Sequence, residues 1–190
     1  VRSRRQRQMC IRDSFYANYN GFALASDVNV IPITSKIEDN FALPSIHEFE
    51  KKINSKTKAI LLCNPCNPTG YVYSQEEIIN IANLAKKNDL FIVVDEVYRE
   101  FIYTDTKHFS ILEDEKFSEN AILIDSTSKR YSLCGARVGF IVSKNSEFIE
   151  TCLKFALTRL SPPTLALIAA NHALNSREEY IENVIKEYYK

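Results

Sequence analysis

Asp125-Ser-Thr-Ser-Lys-Arg-Tyr-Ser-Leu-Cys-Gly-Ala-Arg-Val-Gly139 joins two short apolar runs, residues 121–124 and 138–142, that read as buried strands. Hydroxyls at Ser126, Thr127, Ser128 and Ser132 surround Lys129, and Arg137 follows eight residues later. A lysine among small polar residues just after a strand fills a core poorly and is well placed for chemistry. Shielded from water, it can lose its proton and attack a carbonyl to form a Schiff base. Arg137 offers a planar fork for a phosphate, and Ser126 can add a hydroxyl to it. A solvated loop lysine is the ordinary alternative, and the stretch alone does not displace it.

Two upstream stretches do. Asn64-Pro-Cys-Asn-Pro-Thr-Gly70 follows the apolar run 59–63, and its two Asn-Pro pairs make a tight turn at a strand end. Such a turn can hold an amide over a pocket where loops converge. Asp95-Glu-Val-Tyr98 ends the run 90–94, and a carboxylate at the end of a buried strand costs free energy unless a cation or donor meets it.

In order and spacing, Asn-Pro-x-Asn-Pro-Thr-Gly, Asp-x-x-Tyr and Ser-x-Ser-Lys-(x7)-Arg-x-Gly together resemble the fold type I pyridoxal-phosphate enzymes, most closely the class I/II aminotransferases. The resemblance runs from about Phe15 to the last residue. It implies that Lys129 is the Schiff-base lysine and that Asp95 pairs with the pyridine nitrogen of pyridoxal 5'-phosphate, keeping the ring an electron sink. Tyr98 and Asn67 would bond the ring's 3-oxygen, and Ser126 and Arg137 the phosphate. Tyr16 is the aromatic expected to stack on the ring, with Tyr19 or plain core packing as alternatives. A cis bond before Pro68 is also implied, as is homodimerisation. The implied activity moves an amino group between an L-amino acid and a 2-oxo acid, with Lys129 as base and then acid on one face. The same site type also serves C–S lyases, decarboxylases and the effector domains of some transcription regulators. The substrate side chain is not readable.

The first fourteen residues differ in kind: they are Arg-rich and without strand or helix period. Ordinary readings are a nucleic-acid arm or a targeting sequence. Residues 4–14 match, codon by codon, the translation of a transposon-end sequencing adapter, so residues 1–14 are expected to be a non-native tail. The chain holds 24 basic and 24 acidic side chains; with five arginines and one aspartate set aside, 19 face 23, a net of −4. No basic patch then argues for nucleic acid, and no apolar run is long enough to span a membrane. Of the five cysteines, Cys63 and Cys66 have redox or half-zinc spacing, but no second pair or histidine completes a metal set. Free cysteines suit a reducing cytoplasm. His47, His108 and His172 fall near no motif, which leaves a histidine-base mechanism unsupported.

The rest of the chain alternates strands with helices, which predicts a mostly parallel sheet in a three-layer αβα domain. Strands are expected at 28–33, 59–63, 90–94, 121–125 and 138–142, with helices at 20–25, 45–53 and 74–88. Ser74-Gln-Glu-Glu77 reads as a capping box, with Ile78, Ile79, Ala82 and Ala85 as the apolar stripe. Three helices should follow: one capped by Ser146 to about 159, one with Pro162 in its first turn to about 175, and one over 177–190. Residues 15–155 are expected to be a partial cofactor-binding domain, and 156–190 to lead towards a small domain. The resemblance also implies that a Gly-rich phosphate turn, a strand between those at 28–33 and 59–63, and a carboxylate-binding arginine lie outside the chain. Residues 1–190 alone are therefore expected to fold poorly and lack transaminase activity.

Overall fold

The computed structural model describes residues 7–12, 14–175 and 178–189. Six strands form one sheet: β1 (Arg7–Arg12), β2 (Val28–Ile33), β3 (Thr57–Cys63), β4 (Phe91–Asp95), β5 (Ala121–Ser126) and β6 (Gly139–Val142). Their order is β2-β1-β3-β4-β5-β6, parallel throughout except that β6 runs antiparallel to β5. The helices are α1 (Asn18–Ala25), α2 (Ile46–Lys52), α3 (Gln75–Lys87), the single turn α4 (Thr127–Arg130), α5 (Ser146–Arg159), α6 (Thr164–Leu174) and α7 (Glu178–Tyr188).

Side-chain alternation along the strands divides the core in two. Ile60, Leu62, Ile92 and Val94 pack with Phe49 of α2 and with Ile78, Ile81, Ala82 and Ala85 of α3. Ile11 and Leu61, on the opposite face, pack with Tyr19 of α1, with Val93 against them. Farther along that face, Phe91 meets Phe148 of α5, ring centroids 5.5 Å apart. Helices thus cover both faces, as the alternating pattern predicts.

One correction concerns the first residues. Set aside above as lacking strand character, residues 7–12 form β1 and occupy the slot between β2 and β3, where the strand was expected to be missing. A parallel-strand slot is defined by backbone donors and acceptors, so any short extended segment with apolar residues can enter it. Cys10 and Ile11 supply those, and their high arginine surroundings hide them from a composition-based reading.

Smaller corrections concern helix starts. Asn145, not Ser146, caps α5, its Oδ1 accepting from Phe148 N at 2.8 Å. Pro163 occupies the N-cap position of α6, so Pro162 precedes the helix. The buried stripe of α3 includes Ile81 and Leu84, whereas Ile79 is only partly covered. The capping box at its start is present, with Glu77 N on Ser74 Oγ at 3.2 Å and Ser74 N on Glu77 Oε2 at 2.8 Å. Of the helix expected over 177–190, Arg177 and Lys190 lie outside the described residues.

Candidate active site

Register does the first part of the work. Cys63 sits opposite Asp95, Asp95 opposite Ile124, and Ser126 opposite Gly139, so the carboxyl ends of β3, β4 and β5 finish level. Loops leaving such ends converge on one crevice, where open α/β sheets hold ligands.

The turn after β3 is built around Asn64. Fully buried, it accepts from Tyr73 N at 3.1 Å through Oδ1, and its own N–H donates to Asp95 O at 2.9 Å. Both the Asn64–Pro65 and Asn67–Pro68 peptides are cis, the second as the resemblance implies. Gly70 has φ 71°, a conformation that a side chain would strain, and its N–H closes the turn on Cys66 O at 2.7 Å. What remains facing outward is Asn67, whose Nδ2 stands 3.5 Å from Tyr98 Oη.

Asp95 is held from behind. Tyr19 Oη donates to Asp95 Oδ2 at 2.6 Å, and Val97 N donates to Oδ1 at 3.2 Å. Burial pushes the Asp95 carboxyl above its ordinary value, against the pull of those two donors. Beside it, burial and the Asp95 charge push the Cys63 thiol up to about 12, so it stays protonated. Tyr19 therefore belongs to the support of Asp95, while the exposed Tyr16 meets it edge-on at 5.7 Å and turns towards the cavity. Sequence reasoning carried Tyr19 only as a rival to Tyr16. Its spacing, one helical turn on, is the signal that could have separated the two roles.

The lysine stretch supplies the last wall. Ser126 caps the single turn α4, its Oγ accepting from Ser128 N at 3.0 Å and donating towards Val138 O at 3.1 Å. Thr127 and Arg130 point inward and are buried, so Ser128 and Lys129 face the cavity. Lys129 is exposed, its Nζ 5.4 Å from the centre of the Tyr98 ring. The shielding anticipated for this lysine is not supplied by the described residues. Arg137, left-handed at φ 58°, donates Nη1 to Cys134 O at 2.8 Å, and no carboxylate among the described residues pairs with it.

All seven sequence-predicted positions, Tyr16, Asn67, Asp95, Tyr98, Ser126, Lys129 and Arg137, line one cavity of about 220 Å³. A second, larger hollow of about 620 Å³ adjoins it across Asn67, Tyr98, Ser128, Lys129 and Cys134, walled by Val72, Phe101 and Ile102. No histidine lines either hollow, and no metal-binding group of His, Cys, Asp or Glu occurs among the described residues.

A mostly parallel sheet whose strand ends gather a lysine, a supported carboxylate and a guanidinium that no described carboxylate pairs with defines an α/β protein with a small-molecule site at its strand ends. Residues 2–188 match the family model for aminotransferases of class I and II, and the chain belongs to that family. It is 32% identical over 176 residues to an aspartate aminotransferase of Pyrococcus abyssi, covering 91% of this chain and 45% of that one. An aspartate aminotransferase of a Bacillus species is 34% identical over 158 residues, 82% of this chain and 40% of the relative. Among solved structures, an aromatic aminotransferase of Pyrococcus horikoshii superposes with a TM-score of 0.88 at 30% identity, covering 96% of this chain and 49% of that one. The aspartate aminotransferase of Thermotoga maritima gives 0.87 at 29%, with 96% and 48% covered. The chain spans about half the length of the curated relatives it matches.

Proposed function

We propose that the chain carries the cofactor site of a pyridoxal-phosphate-dependent aminotransferase acting on an L-amino acid and a 2-oxo acid. The observation that supports this most is the convergence of Lys129, Asp95, Tyr98, Asn67, Ser126, Arg137 and Tyr16 on one cavity of about 220 Å³, a size for a single substituted ring rather than a dinucleotide. The donor set fits such a group. Arg137 lacks a carboxylate partner and Ser126 offers a hydroxyl, which together suit a phosphate. The Asp95 carboxylate, held by Tyr19 and Val97 N–H, is oriented to accept from a ring N–H. Tyr98 and Asn67, close to one another, suit a ring oxygen.

When bound, the cofactor would supply a carbonyl for the lysine and a ring that delocalises negative charge. Asp95 would keep the ring nitrogen protonated, and Tyr16 would cover one ring face. Lys129 Nζ would take the α-proton of the amino acid and return it on the same face, which needs one group acting as base and then acid. Because Lys129 is exposed in this chain, a closed site needs a further covering element or the ligand itself. A homodimeric, cytoplasmic full-length enzyme belongs to the same reading; among the described residues no helix is long and apolar enough to cross a membrane.

Borohydride reduction of the full-length protein loaded with pyridoxal phosphate, followed by peptide mapping, tests the assignment. The adduct is expected on Lys129, and Lys129→Ala should abolish transamination. An adduct on another lysine, or full turnover by that variant, overturns it.

The non-native origin of residues 1–14 is kept as part of this proposal, as is the division into 15–155 and 156–190. Arg12, 2% exposed in the β1 slot, is held by Phe41 O and lies over the rings of Tyr71 and Tyr73 at 4.9 and 5.5 Å, while its Nε and Nη1 make no hydrogen bond. A long sequencing read through the source locus should show a different segment before Phe15; finding residues 1–14 there would overturn that origin.

A further inference from the structure

Lys129 rides on a helix of one turn, and one turn cannot hold itself, because nucleation fixes several residues for a single hydrogen bond. Its geometry must come from outside. Thr127 Oγ1 anchors the start on Val138 O at 3.2 Å. The end is anchored by Arg130, next to the lysine and buried. Its Nη2 donates to Asp125 Oδ2 at 2.9 Å and its Nε lies 2.8 Å from Glu100 Oε1. Arg99 closes the group, with Nε on Glu100 Oε1 at 3.1 Å and Nη1 3.7 Å from Asp125 Oδ2. Meanwhile Asp125 Oδ1 receives Ser126 N at 2.7 Å.

The connectivity of this cluster is the point. Asp125 and Arg130 bracket Ser126 and Lys129 from both ends, whereas Arg99 and Glu100 immediately follow Tyr98 on the segment that begins with Asp95. The two segments that supply most of the cavity are thereby joined by one ionic clasp, buried at Asp125 and Arg130 and partly exposed at Arg99 and Glu100. None of its four side chains lines the cavity.

We propose that Arg130 is a positioning residue: bridging Asp125 and Glu100, it fixes the turn that presents Lys129 Nζ to Asp95 and Tyr98. The proposal rests on the aminotransferase reading. A rigid fork is required because two carboxylates on different segments must be held at once, which the point charge of a lysine does less well. Small displacements of a reacting group are costly, on the order of a hundredfold for about 1 Å.

The test uses the full-length enzyme with bound pyridoxal phosphate and the variants Arg130→Ala and Arg130→Lys. Three quantities are followed: the pH midpoint of the cofactor's visible band, which reports the lysine-linked nitrogen, kcat against KM, and Tm. Arg130→Ala is expected to move the midpoint and to lower kcat roughly tenfold or more, with KM changed less than about threefold. Arg130→Lys should recover part of both. A lower Tm with midpoint and kcat unchanged overturns the proposal and makes the clasp merely structural. Should Arg130→Ala not fold, Glu100→Gln decides in its place, since it leaves the Arg130–Asp125 bond: a moved midpoint supports the clasp, and an unmoved one overturns it. If the wild-type band is unaltered in Lys129→Ala, the function reading falls and this proposal with it.

Discussion

Glu96 follows the cavity's Asp95 but points the other way, fully buried, with Oε1 accepting from Ser110 Oγ at 2.9 Å and Ile111 N at 3.2 Å. Oε2 faces His108 Nε2 at 3.6 Å without a hydrogen bond. Burial pushes the Glu96 carboxyl up to about 7, with Asp125 adding to the rise and Arg99 opposing it, while burial pushes His108 down. Both partners are therefore neutral just below pH 7, and their contact is not an ion pair there. A carboxyl raised on folding contributes stability that is complete below its unfolded value and is lost as pH climbs through the folded one. Between about pH 4.5 and 7 that loss is worth roughly 3 kcal/mol. Glu96→Gln keeps an acceptor for Ser110 and Ile111 and removes the titration, so its Tm should gain on wild type across this interval in the full-length protein. A difference that stays flat with pH would sink the assignment. Nothing in the sequence distinguishes Glu96 from a solvated neighbour of Asp95, because its burial is decided by residues 108–111 folding over it. Six of the seven cavity positions were legible because each lies within a short motif at a strand end, whereas Tyr16 was reached only through the resemblance. The clasp was not, since its four charges are shared between two motifs and meet only in space.

Among the elements, α3 was the most readable, because its start is written in local bonds. Ser74→Ala removes the acceptor for Glu77 N and should cost the full-length protein about 1 kcal/mol, seen in denaturant unfolding. No loss would mean that Glu77, which also accepts from Tyr71 Oη at 2.7 Å, carries the helix start without the serine. Cap identity was less readable at α5, where Asn145 and Ser146 are both competent and the backbone chose the asparagine. β1 was not readable at all. Arg7 and Arg12 flank a three-residue apolar run, too short for periodicity, and the slot's demand for a strand comes from β2 and β3 rather than from β1 itself.

For the molecule as a whole, strand–helix alternation gave the layered sheet, yet not where its surfaces end. The α5–α6 region exposes Leu153, Phe155, Leu157, Leu160, Leu165 and Ile168, all six more than half bare. Apolar surface so concentrated marks an interaction face. Purified by itself, the 190-residue chain is expected to self-associate in sedimentation and to bind a hydrophobic dye; a dye-silent monomer would contradict this. The cavity has a further consequence in time. Its lining is drawn from positions as far apart as Tyr16 and Arg137 and from the segments that follow β3, β4 and β5. During synthesis, then, the lining is complete only once the chain through Arg137 has been made, long after Tyr16 has emerged. A ligand that binds only the completed arrangement drags the equilibrium towards it, serving as a late proofreader of the fold as well as its chemical tool.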